Sequence, residues 1–381
     1  MTDNTEHSRV SPSSAYRWSV CPGSTWAVQQ FTDKDSSNVY ADAGNIIHNK
    51  AATILEEIKE QNKLEFLEQK ITCSFTSNEV KILDLSRIYV SNAINFIRAY
   101  IDYIAKVERN MFNRAIYIEQ KLDFTKIAPG LTYDEQNKGT ADCVIYDRAK
   151  KHLHVIDLKT GMGRVAIKDN KQLLIYAIGA LLEISEEVEV VITHIVQPSI
   201  NNFGSCYYSI EEMEQWKRYF YEKVIATLTP LAPRVPSQDG CKYCPANKTC
   251  PELAGLVKEV VDIAKTDNKY NQETMLYILN NSKLISSYLD QVKDHAYNQL
   301  ESGLTFGNYK LVPGRTLKNL TSNAEEVLRA KYGNSIYQLA PVSKLKEVVA
   351  SEDLEPLIEY KQSKPMIVQS SEEVQEFQEE L

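Results

Sequence analysis

Apolar residues recur at helical spacing over 42–61, where Ile46, Ile47, Ala51, Ile54 and Leu55 form one stripe. The spacing predicts a helix with Gly44 and His48 in its first turns. A shorter helical stretch over 11–30 is interrupted at Cys21-Pro22, and a second long helix is predicted over 77–107. The period then changes. RAIYIEQKLDF (114–124) alternates as a strand does, and 140–146 and 152–158 pair around a charged turn, DRAKK. Helical spacing returns in DNKQLLIYAIGALLEI (169–184), which opens on an Asp/Asn capping signal. EVEVVITHIVQP (187–198) is a β-branched strand, and a helix at 210–228 leads through the Pro-containing linker TPLAPRVPSQDG into CKYCPANKTC. Further helices are predicted over 255–265 and 271–300, FGNYKLVPGRT reads as strand and turn, and SSEEVQEFQEEL is a solvated acidic tail. No internal repeat is visible. The order is helices, then β-β-β-α-β, then helices, which predicts an α/β core inside a helical frame.

The length of 381 residues holds one large domain or two ordinary ones. Apolar and charged contents of 43% and 25% are those of a soluble globular protein. No apolar run reaches membrane-spanning length, and the start MTDNTEHSRVSPSS lacks the basic and apolar regions of a signal peptide. A cytoplasmic protein with no membrane partner is expected. The net charge of −8 advertises no nucleic-acid partner, although a local groove can be positive on an acidic molecule.

The paired strands raise the first chemical question. A turn centred between Ala149 and Lys150 places Asp142 directly opposite Asp157, with Cβ atoms about 5 Å apart. Two facing carboxylates repel unless something positive sits between them, and carboxylate oxygens suit Mg²⁺ or Mn²⁺. Lys159 projects from the same face as Asp157. It could position a water beside such a metal or neutralise developing negative charge, a set suited to phosphodiester hydrolysis. The spacing fits equally a pair of strand-end caps with Lys159 as their ion-pair partner. Cys143 is expected on the opposite face from Asp142.

Seven cysteines are present. Cys241, Cys244 and Cys250 offer three thiolates from one tight stretch, which in a cytosolic chain points to metal rather than disulfides. Spacing leaves the fourth ligand open among Cys21, Cys73, Cys143 and Cys206, and four cysteines suit either zinc or a [4Fe–4S] cluster. The G-x-G of Thr160–Arg164 lacks the spacing of a nucleotide loop and reads as a turn, with Arg164 and Lys168 able to face phosphates. His152 and His154 lie near the closed end of the strand pair and read as surface or core residues.

Taken together, Gly139-Thr-Ala-Asp142 and Asp157-Leu-Lys159-Thr-Gly161 resemble the PD-(D/E)XK nuclease superfamily, in its RecB-like branch. Gly44-Asn-Ile-Ile-His48 is similar to that branch's upstream G-x-x-x-H helix, and Gln172-Leu-Leu-Ile-Tyr176 to its downstream Q-x-x-x-Y helix. The resemblance implies a central mixed β-sheet flanked by helices. It makes His48, Asp142, Asp157 and the Leu158 carbonyl ligands of Mg²⁺ or Mn²⁺, and Lys159 the catalytic base. Gln172 and Tyr176 would orient the site or touch DNA phosphate, and Glu119 would match the acidic residue some members supply early. Ser11-Pro-Ser13 with Cys21-Pro22, and CKYCPANKTC, resemble the iron–sulfur elements of AddB-like and CRISPR-associated exonucleases. This implies a structural [4Fe–4S] cluster on Cys21, Cys241, Cys244 and Cys250, with zinc as the alternative.

The resemblance covers roughly residues 11–251 and extends to a family of phage and prophage nucleases. The domain plan expected is a nuclease domain at 1–253, a helical segment at 254–300 and a small α+β segment with the acidic tail at 301–381. The implied function is a metal-dependent DNA exonuclease in phage recombination or replication inside a bacterial host. A single-strand annealing or binding protein is the implied partner besides DNA. The alternatives are a structure-specific endonuclease of the same fold and a non-catalytic nucleic-acid-binding scaffold with a structural cluster.

Overall fold

The change from helical to alternating spacing places a sheet in the middle of the chain. In the computed structural model, which describes residues 10–31, 39–60, 73–109, 111, 113–123, 127, 138–265 and 271–312, that sheet has five strands. The elements run α1 (Ala15–Trp18), α2 (Ser24–Ala27), α3 (Val39–Glu60), α4 (Ser77–Leu85), α5 (Val90–Glu108), β1 (Arg114–Asp123), β2 (Lys138–Asp147) and β3 (His152–Leu158). They continue as α6 (Lys171–Glu183), β4 (Val190–Gln197), β5 (Asn202–Ser209), α7 (Ile210–Ala226), α8 (Gln238–Lys242), α9 (Pro251–Ala264) and α10 (Gln272–Glu301). The chain divides into two units, Met1–Leu311 and Val312–Leu381. Apart from Val312, the second unit lies outside the described residues, and with it the acidic tail and the expected α+β segment beyond 312.

Strand order equals chain order, β1 to β5. All neighbours are antiparallel except β3 and β4, which run parallel with α6 as their crossover. The sheet is therefore mixed. Helices cover both faces, so β3 is buried almost throughout rather than alternating. Leu153 and Val155 pack with Leu174 and Ile178 of α6 and Phe220 of α7, while Ile156 and Leu158 pack with Ile47 of α3 and Ile97 and Ile101 of α5. Local chemistry fixes the helix starts. The Asn170 side chain accepts the Leu173 N–H at 3.2 Å, and Ser209 and Glu212 form a reciprocal capping box at the start of α7. Trp18 joins the α6–α7 core, tilted against Phe220, and its indole N–H donates to the Ser11 carbonyl at 2.9 Å.

Two expectations need correcting. The single helix over 77–107 is two helices, α4 and α5. Arg87 adopts a left-handed φ of 59°, its N–H donates to the Asp84 carbonyl, and the Ile88 N–H reaches back to Leu83. That pair of bonds is a Schellman closure, which ends α4 despite an apolar spacing that continues through it. The order β-β-β-α-β lacks a strand, because β5 follows β4 across a tight connection in which Asn201 has φ 52°. NFGSCYYS gives little strand signal, since β5 pairs with β4 alone and buries only Asn202 and Tyr208. A Cβ on Gly204 would stand 2.7 Å from Ile167 Cδ1, so a larger residue there would have to displace the end of the Ile167 side chain.

Candidate metal centre

The turn between β2 and β3 sets the geometry. Asp147 Oδ1 accepts the N–H groups of Ala149 and Lys150 at 3.0 and 3.2 Å, and the ladder then runs from Asp147↔His152 to Cys143↔Ile156. One step further on, Asp142 faces Asp157. On its other side Asp142 faces Glu119, between the pairs Ile118↔Cys143 and Gln120↔Ala141. Three carboxylates thus occupy one row across three neighbouring strands. Glu119 has a φ of 49° in the middle of a strand, a conformation that a non-glycine residue holds only where its surroundings impose it.

The helix α3 brings His48 to this row. A Cβ on Gly44 would meet Thr160 Oγ1 at 3.2 Å, so the glycine lets α3 approach the end of β3, and His48 follows one turn later. His48 Nδ1 lies 3.2 Å from Asp142 Oδ1, and the Leu158 N–H donates to Asp142 Oδ2 at 2.7 Å. Burial opposes charge on His48, but Asp142 and then Asp157 outweigh it and hold the imidazole above its ordinary pKa. Burial raises the Glu119 carboxyl, and the charge of Asp142 adds to the rise. His48, Glu119 and Asp142 present donor atoms within 4.8 Å of one another, the one such set among the described residues. An imidazole and crowded carboxylates that repel one another are a donor set that a divalent cation fits.

Lys159 stands beside this set. Its ammonium is 2.8 Å from Asp157 Oδ2 and donates to Gln172 Oε1 at 2.8 Å, and Gln172 Nε2 donates to the Tyr176 hydroxyl at 3.1 Å. Asp157 is buried, which pushes its carboxyl up; Lys159 pulls it down and Asp142 adds to the rise, leaving a net upward shift. Burial opposes the charge of Lys159, but Asp157 and Asp142 together keep the ammonium above its ordinary pKa. The structure therefore gathers His48, Glu119, Asp142, Asp157, Leu158, Lys159, Gln172 and Tyr176 at one end of the sheet.

Sequence reasoning missed two features near this site. Tyr100 of α5 is buried within electrostatic reach of Asp142, Asp157 and Glu119, and its hydroxyl has no hydrogen-bond partner. Gln197, at the end of β4, is fully buried and bonds the loop after Lys159. Of the two readings left open for His154, surface or core, the core one holds: it is buried, stacked on His194 of β4, with His154 Nδ1 3.0 Å from His194 Nε2 and the Tyr103 hydroxyl 3.2 Å from His194 Nδ1.

The cysteines form a second cluster. The linker before α8 lies against the Cys21-Pro22-Gly23 turn, where a Cβ on Gly23 would stand 2.3 Å from the Ala232 carbonyl. Cys21 Sγ accepts the Val235 N–H at 3.2 Å, and Cys241 Sγ accepts the Ser237 N–H at 3.4 Å. Burial pushes the Cys241 thiol up to about 11, and Cys244, Cys21 and Cys250 all act on it electrostatically. The fourth cysteine beside the CKYCPANKTC stretch is therefore Cys21. Cys143 is buried in the core under α3 and α5, Cys73 is partly buried there, and Cys206 is partly buried on the α6–α7 side.

A family model described as protein of unknown function (DUF2800) matches residues 7–375. Among solved structures, the crystal structure of SSO0001 is similar at 19% identity and a TM-score of 0.24, over 51% of this chain and 95% of that chain. Among the described residues, no helix is long and apolar enough to cross a membrane.

Proposed function

The chain belongs to the DUF2800 family, and we propose that it is a metal-dependent deoxyribonuclease of the PD-(D/E)XK type, acting as an exonuclease. The observation that carries this reading is the row of Glu119, Asp142 and Asp157 across three strands, with His48 on one side and Lys159 on the other. In this reading His48, Asp142, Asp157 and the Leu158 carbonyl hold Mg²⁺ or Mn²⁺, with Glu119 beside them. When bound, the cation supplies Lewis-acid stabilisation of a phosphodiester.

The remaining work falls to the chain's own side chains. The Leu158 N–H and His48 fix both oxygens of Asp142, so the carboxylate is oriented before any ligand arrives. Lys159 is held as an ammonium by Asp157 and Gln172, and in that state it stabilises negative charge developing on phosphate oxygens. To act as the base it must first lose that proton. Gln172 and Tyr176 keep the lysine in place. Cys21, Cys241, Cys244 and Cys250 hold a structural [4Fe–4S] cluster in the same reading.

The test uses protein purified without oxygen. It is expected to be brown, to contain iron, and to degrade end-labelled linear DNA with Mn²⁺ while sparing closed circles. Asp157→Ala is expected to abolish degradation, and Lys159→Ala to slow it on the order of 10²–10⁴-fold. Degradation that survives in Asp157→Ala would sink the active-site assignment. Equal cleavage of circles would make the enzyme an endonuclease, and colourless protein with stoichiometric zinc would remove the cluster.

A further inference from the structure

We infer that the loop 161–164 and the Lys242–Tyr243 pair are two walls of a nucleotide subsite beside the candidate metal centre. One phosphate of single-stranded DNA lies on the loop, and its base stacks on the Tyr243 ring. This deepens the nuclease reading and rests on it.

The loop follows Lys159 and Thr160 directly, and its four residues are exposed, Met162 to 73%. Gln197 and Ser199 hold the Gly161 carbonyl from within, and Gln197 also holds that of Gly163. Among the described residues, no hydrogen bond uses the N–H groups of Gly161, Met162, Gly163 or Arg164. The fold itself does not demand the glycines. Neither has a left-handed φ, a Cβ on Gly161 would meet nothing within 4 Å, and one on Gly163 would make only an ordinary contact. Glycine that neither backbone nor packing requires fits a ligand that approaches the main chain closely.

That ordinary contact is with Tyr243, whose hydroxyl oxygen lies 3.5 Å from the Cβ position of Gly163. The loop after Lys159 and the cysteine element therefore meet here. Tyr243 stands between Cys241 and Cys244 and is 62% exposed, with the Lys242 ammonium over its ring at 4.9 Å from the centroid. Tyr16 meets the same ring edge to face at 6.3 Å. Among the described residues neither Arg164 nor Lys242 forms an ion pair, in a chain whose net charge is −8. Cations left unpaired on an acidic molecule make a local positive patch that attracts phosphate. An exposed aromatic ring supplies a π-face for a base, while the cations and unused N–H groups track the backbone. Bases inside a duplex offer no face to such a ring, so the subsite takes an unpaired strand.

The experiment measures binding of fluorescein-labelled single strands to the full-length protein without added divalent cation, by fluorescence anisotropy. A base-bearing strand is compared with an abasic strand of the same length. Tyr243→Leu is expected to lower affinity for the base-bearing strand on the order of 5- to 100-fold, the range of one base–aromatic stack, and to leave the abasic strand unchanged. Tyr243→Phe, which keeps the ring, should stay near wild type. Arg164→Gln should weaken both strands alike and flatten the salt dependence, because it acts on phosphate. Equal losses on both strands in Tyr243→Leu would make the tyrosine structural and overturn the inference. So would equal affinity of wild type for the two strands, however the variants fold; cleavage by wild type with Mn²⁺ would then leave the nuclease reading standing. Wild type that neither binds nor cleaves DNA would overturn that reading, and this inference with it.

Discussion

The loop that follows Lys159 hangs on the side chain of Gln197. Its Nε2 donates to the carbonyls of Gly161 and Gly163, both at 2.8 Å, and its Oε1 accepts from the Val165 N–H and from Asn202 Nδ2. Every polar valence of a fully buried amide is used. Gln197→Ala strands those partners, and each unsatisfied buried group costs about 1–3 kcal/mol. Urea unfolding is expected to show a loss on the order of 3 kcal/mol, and a loss under about 1 kcal/mol would mean that water replaces the amide. At this scale the candidate site was largely legible in the sequence. Asp142, Asp157, Lys159, His48, Gln172 and Tyr176 stand at fixed steps along strands and helices, and fixed steps survive in one dimension. Gln197 and Tyr100 were not legible. One amide at a strand end and one hydroxyl on an aliphatic stripe leave no periodic trace, and their roles come from what the fold sets beside them.

Elements show where periodicity misleads. The apolar stripe of 77–107 continues in phase through Ser86–Tyr89, so the break between α4 and α5 is a backbone event with little side-chain signature. It places exposed Arg87 in the left-handed region, where an L side chain costs about 1–2 kcal/mol relative to glycine. Arg87→Gly is therefore expected to stabilise the protein by about 1 kcal/mol, seen as a higher denaturation midpoint at unchanged slope. A lower midpoint would show that the arginine side chain contributes more than its backbone strain. The strand β5 was missed for a related reason. An edge strand with few inward residues has too few apolar positions to alternate.

For the whole molecule, the buried histidine pair dictates a response to acid. Burial, with the neighbouring His152, lowers His154 to about 4, and burial, with His154, lowers His194 to about 3. In the unfolded chain both take up protons as pH falls through about 6.5. The unfolded state therefore binds more protons between about 6.5 and 4, and stability falls as pH falls through that window. Melting temperatures of wild type should drop from pH 7 to pH 5 more steeply than those of a His154→Gln/His194→Gln variant. Parallel curves would show that the pair does not drive the loss. This liability was hidden from the sequence, which places His154 on β3 and His194 on β4, in elements joined only by the crossover. The order of helices and central strands was legible, because most strands here carry enough buried β-branched or aliphatic residues to declare themselves.

Strand order that equals chain order has a consequence in time. Each strand pairs with the one synthesised just before it, so the sheet can close progressively from β1 to β5 with a single crossover to wait for. Cys21 is made early and does the opposite: its sulfur meets the Val235 N–H across 214 residues. That contact cannot form until residue 235 has been made, after all five strands of the sheet.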